Sequence, residues 1–288
     1  MSTKYLVVLD AGHAEKVAGK QSPCKTLREW DFNNKLQYEI QKRLESHGIT
    51  VYLTNPNPAG IDEIGLTKRA TLANTKWSNL GKPECIFVSL HANALGNGSE
   101  FNSARGPVTF TSKGCSSKST KAAKIFQDKL VEVTKKLDST SNLTRGVWTE
   151  DFTVLCKTNM PAVLLEYGFY TNKKDLALLK NNRADYVEAT VKAICEYFGV
   201  TYKSTSSSSS SSTSSTTSTS CSLAVRVISN SLNVRKGAST SYDVVATVKK
   251  GEAYTIVEKS SNNWGLLKAY QKNRDGWISL GSSCVEIV

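Results

Sequence analysis

Residues 204–220 are serine or threonine at every position. Seventeen consecutive side chains with nothing apolar cannot join a core, so the run must lie outside any folded unit. It reads as a flexible tether with a root-mean-square span of about 20–25 Å. The 288 residues therefore divide into parts that fold separately: residues 1–203, a linker at 204–221, and residues 222–288.

The first part alternates two kinds of apolar pattern. Short continuous runs at residues 5–9, 85–90 and 162–165 read as strands buried on both faces, with residues 49–53 and 108–111 as further strands. Between them Phe32, Leu36, Ile40 and Leu44 recur every fourth residue, and Gly48 suits the stop of that helix. Residues 66–77 and 122–137 read as helices, and Val187, Val191, Ile194 and Phe198 mark a closing one. The expectation is an α/β domain, its sheet covered by helices on both faces. The last part has no helical period. Six short strand signals, punctuated by Gly237, Gly251 and Asn262-Asn263, predict a small all-β barrel.

Hydrophobic residues at 39% and charged residues at 22% are ordinary for a folded globular chain. No run is long and apolar enough for a membrane span, and the apolar stretch after Lys4 ends at Asp10, too early for an export signal. The expectation is synthesis in the cytoplasm without an export signal or a membrane anchor. The net charge is +12, and both folded parts are basic, which favours a polyanionic partner. Nucleic acid, anionic lipid and an anionic cell wall all qualify, but no nucleic-acid motif is visible. Seven cysteines form no CxxC pair, so free thiols are the expectation. Cys195 falls on an apolar helix stripe. Cys221 and Cys284, which bracket the last part, are the one pair that could meet.

Only three histidines are present. His13 and His91 each follow a strand signal, and ligands of open α/β sheets collect beyond the carboxyl ends of strands. Imidazole is the commonest zinc donor, and a catalytic zinc takes three protein ligands plus water. Glu29, just ahead of the helix at 32–44, and Glu166, at the end of an apolar strand, are the carboxylates placed to join them. Plainer readings compete. Glu29 would favour any helix N-terminus, Glu166 could pair with an arginine such as Arg69, and no HExxH is present. His47 falls in a last helical turn, where a cation suits the dipole, and reads as structural.

Several segments taken together resemble the zinc-dependent N-acetylmuramoyl-L-alanine amidases of the type-3 family. They are Leu9-Asp10-Ala11-Gly12-His13, Glu29 with Asn33, residues 66–74 with Arg69, Ser89-Leu90-His91-Ala92-Asn93, and residues 165–172. Where the family often reads Asp-Pro-Gly-His-Gly-Gly, this chain has Asp10-Ala11-Gly12-His13-Ala14-Glu15. The resemblance implies that His13, Glu29 and His91 hold one Zn2+, that Glu166 is the catalytic carboxylate, and that the substrate is peptidoglycan. Arg69 is read as a structural ion-pair residue rather than a substrate contact. Residues 231–237, 240–245, 248–251, 263–265 and 275–278 resemble a bacterial SH3 domain, which implies wall binding. Tyr242, Trp264, Tyr270 and Trp277 are its candidate contacts, though aromatics in so small a domain more often serve the core. The expectation is a phage-endolysin-like lysin that waits in the host cytoplasm, is released to the cell wall by membrane disruption, and is drawn also to teichoic acid. An autolysin, a non-catalytic wall-binding protein and a basic nucleic-acid binder are the rival readings.

Overall fold

A run of apolar residues with no polar alternation has to be buried on both sides, and the computed structural model realises this three times. It describes residues 3–56, 58–140, 145–204, 219–238, 240, 242–259, 263–267, 276–281 and 283–288. Strands β1 (Tyr5–Ala11), β3 (Glu84–Asn93) and β6 (Ala162–Phe169) lie side by side and parallel at the centre of a six-stranded sheet. With β2 (Thr50–Leu53), β4 (Val108–Thr111) and β5 (Val147–Thr149) the order is β2-β1-β3-β6-β4-β5. β4 runs antiparallel to β6, and β5 parallel to β4.

Alternate residues of the central strands feed two cores. Val7, Leu9, Val88, Leu90 and Leu165 face α1 (Glu29–Ser46), α3 (Ser117–Leu137) and α6 (Arg183–Phe198). Leu6, Val8, Phe87 and Leu164 face α2 (Leu66–Asn79) and the single turn α4 (Thr153–Cys156). Helices thus cover both faces, as the sequence pattern predicts. The four-residue stripe of α1 is the buried one: Phe32, Leu36, Ile40 and Leu44 are all in the core. Cys195 is buried in the same core.

Three positions differ from the sequence reading. Glu29 is the first residue of α1 rather than a residue ahead of it. His91 lies inside its strand rather than past it, and Glu166 lies inside its strand rather than at its end. The apolar signal stops where the polar site begins, but backbone pairing needs no apolar side chain and continues through it. His47, the C-cap of α1, is structural in another way than its dipole suggests. Its Nδ1 pairs with the Arg43 carbonyl at 2.7 Å, and its Nε2 accepts the Lys203 N–H at 2.9 Å, which requires that nitrogen to be unprotonated. Gly48 follows with φ +75°, a conformation that favours glycine at a helix end. Strand β5, the turn α4 and helix α5 (Lys173–Asn181) have no counterpart in the sequence reading.

The chain separates into two compact units, Met1–Thr205 and Ser206–Val288, with the division inside the Ser/Thr tract. The second unit is all β: β7 (Thr219–Val227), β8 (Ser231–Arg235), β9 (Val244–Lys249), β10 (Ala253–Lys259), β11 (Trp264–Leu267), β12 (Gly276–Ser279) and β13 (Val285–Ile287). They pair antiparallel in the order β13-β7-β10-β11-β12-β8-β9. The core is Val225, Val227, Val234, Val248, Ile256, Leu267, Ile278 and Val285. The tether ends sooner than its composition implies, since Thr219 and Ser220 pair with Lys259 and Glu258. Ladder pairing uses the backbone, and threonine suits a strand. Tyr242 is exposed, Trp264 and Trp277 are half-buried, and Tyr270 lies outside the described residues. Six cysteines, Cys284 among them, are free thiols, while the side chain of Cys221 lies outside the described residues. Among the described residues no helix is long and apolar enough to cross a membrane.

Candidate metal centre

Three elements bring the sequence-predicted site residues together. The chain leaves β1 at Ala11 and turns through Gly12 into His13, which has φ +65°. Asn33 donates to the Gly12 carbonyl at 3.1 Å, and Asn55 donates to the carbonyls of Ala11 and His13 at 2.9 Å each. These bonds fix a turn that lacks helix or sheet pairing. Gly12 has a second role. A Cβ there would lie 2.1 Å from Cε1 of His91, so only glycine lets that imidazole sit where it does. In the parallel pair β3–β6, His91 and Glu166 occupy partner positions. Glu29 reaches in from the first turn of α1, and its Oε1 accepts the Ala92 N–H at 3.2 Å.

Nδ1 of His91 lies 2.9 Å from Oε1 of Glu29, and Nε2 of His13 lies 3.5 Å from Oε2 of the same carboxylate. The two imidazoles stand at 90° with centroids 5.2 Å apart. One donor atom from each of His13, Glu29 and His91 lies within 4.8 Å of the others. Glu29 is only 3% exposed. Burial pushes its carboxyl up, but the His91 hydrogen bond and the charges of His91 and His13 outweigh this and hold it low. Burial likewise disfavours the His91 cation, yet Glu29 holds that imidazole above its ordinary range. His13 goes the other way, lowered by burial more than Glu29 raises it. A buried carboxylate converging with two imidazoles is the donor set of a divalent transition metal such as zinc, and the residues fit such an ion.

Glu166 stands beside this group without joining it. Its Oε2 is buried and has no hydrogen-bond partner. Burial pushes its carboxyl up to about 8, against the pull of His91 and with the repulsion of Glu29 added. Arg69 does not pair with it. That guanidinium is 1% exposed and lies under the site, donating to the carbonyl of Ile64 and to Oε1 of Glu63, 3.6 Å from Asp10. Asp10 in turn accepts from Thr54 at 2.5 Å and from Ser89 at 2.9 Å. The structural reading of Arg69 therefore describes its contacts.

The sequence reading gives no role to Glu63. Its Oε1, held by Arg69 at 2.8 Å, lies 3.2 Å from Nδ1 of His13, a buried nitrogen with no aligned hydrogen bond. The residue sits in an irregular loop, and only its closeness in sequence to Arg69 hints at it. Together these groups line a cavity of about 410 Å³ whose wall also includes Lys20, Asn93, Phe152, Leu164 and Tyr170.

Comparison with known proteins gives the chain relatives. The family described as N-acetylmuramoyl-L-alanine amidase matches residues 7–196, and the bacterial SH3 domain matches residues 230–286. The chain is 30% identical over 205 residues to the endolysin of Bacillus phage SPP1, covering 70% of this chain and 69% of that protein. It is 28% identical over 196 residues to the probable cell wall amidase LytH of Staphylococcus aureus, covering 67% of this chain but only 58% of LytH. Among solved structures, an N-acetylmuramoyl-L-alanine amidase from Clostridium difficile 630 aligns with a TM-score of 0.58 at 27% identity, covering 69% of this chain and 98% of that one. The catalytic domain of CwlV, an N-acetylmuramoyl-L-alanine amidase from Bacillus (Paenibacillus) polymyxa var. colistinus, aligns at 0.56 and 27%, covering 70% and 100%.

Proposed function

Because the chain belongs to the N-acetylmuramoyl-L-alanine amidase family, we propose that His13, Glu29 and His91 hold a zinc ion and that Glu166 is the catalytic acid–base. The reaction is hydrolysis of the amide between the lactyl group of N-acetylmuramic acid and the L-alanine of the stem peptide. Held by those three donors, zinc supplies Lewis acidity, which polarises the scissile carbonyl and makes water acidic enough to react near neutral pH. The protein's own groups do the rest. With a cation held there, His13 and His91 would each ligate through an unprotonated nitrogen, the cation opposing the pull of Glu29 that otherwise favours the His91 imidazolium, and the cavity admits substrate to the face of β3 and β6. Glu166, in its carboxylate form, takes a proton from the attacking water and returns it to the departing nitrogen.

The observation that carries this reading is the buried, unpartnered Oε2 of Glu166 beside the His13–Glu29–His91 group. Burial raises the affinity of this carboxyl for a proton, which suits a group that must both accept and release one. A cation beside it favours its charged form and opposes that rise. The test is Glu166→Gln: zinc content measured on the purified protein stays at one per chain, while clearing of purified cell walls falls by about 10²-fold or more. An active Glu166→Gln protein would sink the assignment.

The second unit we read as the wall anchor, with peptidoglycan as its ligand. The basic charge of both units adds a screened attraction to anionic wall polymers such as teichoic acid, so binding to walls should weaken as salt is raised. The phage relative favours an endolysin, held in the host until the membrane is breached. An autolysin of the same activity is the second reading, favoured by the LytH relatives.

A further inference from the structure

Beyond the metal-ligand residues, the cavity wall includes one exposed aromatic ring, and a second stands next to it on the same buried phenylalanine. Phe152, 38% exposed, lines the cavity, and Trp148, 43% exposed, stands on the edge strand β5. Both pack edge-on against the buried ring of Phe110, with centroids 5.3 and 5.8 Å away and interplanar angles of 69° and 90°. The indole N–H of Trp148 already donates to the Arg145 carbonyl at 2.6 Å. Their orientation is thus set in advance, and their apolar surface meets water. Two exposed, pre-oriented rings on one buried support, one of them in the wall of the reaction cavity, offer a surface for a ligand with apolar faces.

Sheet order and charge indicate which part of the substrate belongs there. The order β1-β3-β6-β4-β5 puts the loop after β1 on one flank, His91 and Glu166 in the middle, and the two rings on the other flank. The loop after β1 carries the exposed cations Lys16, Lys20 and Lys25. Between the two rings in sequence lie Glu150 and Asp151, both exposed; Asp151 accepts the Lys113 backbone N–H at 2.9 Å and lies 4.0 Å from the Lys113 ammonium. A stem peptide bears free carboxylates, which the three exposed lysines favour on the β1 side; on the ring side Arg145, 5.7 Å from the Trp148 centroid, offsets part of the acidic charge. The glycan has its lactyl carboxyl tied up in the scissile amide, so it is uncharged there, and it offers C–H faces and N-acetyl methyls to an aromatic surface. We propose that Phe152 and Trp148 form a subsite for the glycan strand on the acyl side of the scissile amide. This rests on the amidase reading above.

The experiment uses the full zinc-loaded chain, a tetramer of β-1,4-linked N-acetylglucosamine and, separately, free stem peptide. The tetramer should compete with soluble glycan-linked peptidoglycan fragments. Trp148→Ala and Phe152→Ala should each raise KM for those fragments about tenfold, the equivalent of roughly 1.4 kcal/mol, with zinc content unchanged. Trp148→Phe should keep most of the affinity, and inhibition by free peptide should not move. A tetramer that fails to compete, or an unchanged KM in Trp148→Ala, overturns the proposal. So does loss of peptide inhibition in Trp148→Ala, which would make β5 a peptide edge, or a sedimenting dimer that this variant dissolves. Tetramer binding is also read by tryptophan fluorescence without turnover. Failure of the amidase reading is seen apart from this, as wild-type protein that frees no new alanine amino terminus from walls.

Discussion

His13 is held from two sides: Nε2 faces the Glu29 carboxylate and Nδ1 faces Glu63, which Arg69 holds in place. A carboxylate behind a ligating imidazole fixes its tautomer and makes it a better donor, and losing such a partner typically costs 10–100-fold in metal affinity. Glu63→Gln should therefore weaken zinc binding by about 10–100-fold in a competition titration with a chelator. Because glutamine keeps an oxygen for Arg69, whose guanidinium also lies 3.6 Å from Asp10, the midpoint of chemical denaturation should shift far less than zinc affinity. Equal zinc affinity in the variant would show that Glu63 merely neighbours the site. At this scale the sequence was informative where chemistry is scarce. With three histidines in the chain and two of them next to strand signals, His13 and His91 stood out, and an acid among apolar neighbours singled out Glu166. Glu63 gave no such signal, because the imidazole it faces, His13, is distant in sequence and its own loop has no period.

Helix α1 is tied to α6 and to the end of the first unit through a cluster on its last turns. Arg43 donates to Glu188 at 2.5 and 3.0 Å and to the Lys203 carbonyl at 2.7 Å, while the Tyr202 hydroxyl donates to Glu188 at 2.5 Å. Burial pushes the Glu188 carboxyl up, but the hydrogen bonds from Arg43 and Tyr202 prevail and hold it below the usual carboxylate range. A lowered folded-state pKa means stability that is fully present above the unfolded value and is lost as pH falls through the folded one. Glu188→Gln should thus lower stability at neutral pH while leaving a shallower loss on acidification, read as urea midpoints from neutral pH down to about pH 3. Parallel curves for the two proteins would contradict it. Elements with a wide apolar face, such as α1 and the three central strands, were legible from spacing alone. Strand β5, three residues and all exposed, and the four-residue α4 bury too little to leave a pattern, so they became visible only in the fold.

At the scale of the molecule, the two units have separate cores, one on each face of a mixed sheet and one within an antiparallel one. Their division at the Ser/Thr tract was the plainest statement in the sequence, because composition alone forbids a core there. The pairing of Thr219 and Ser220 was not legible, since backbone ladders carry no compositional mark. A chain ending at Thr205 should keep its zinc and its turnover of soluble muropeptides within about twofold, while co-sedimentation with intact walls falls by tenfold or more, the sign of a lost second contact. Undiminished sedimentation would mean that the second unit does not anchor the enzyme.

All five cysteines of the first unit, Cys24, Cys85, Cys115, Cys156 and Cys195, are unbridged. It is therefore held by packing and hydrogen bonding with no covalent cross-link. A fold made this way has no structural sulfur–sulfur bond for a reductant to cut.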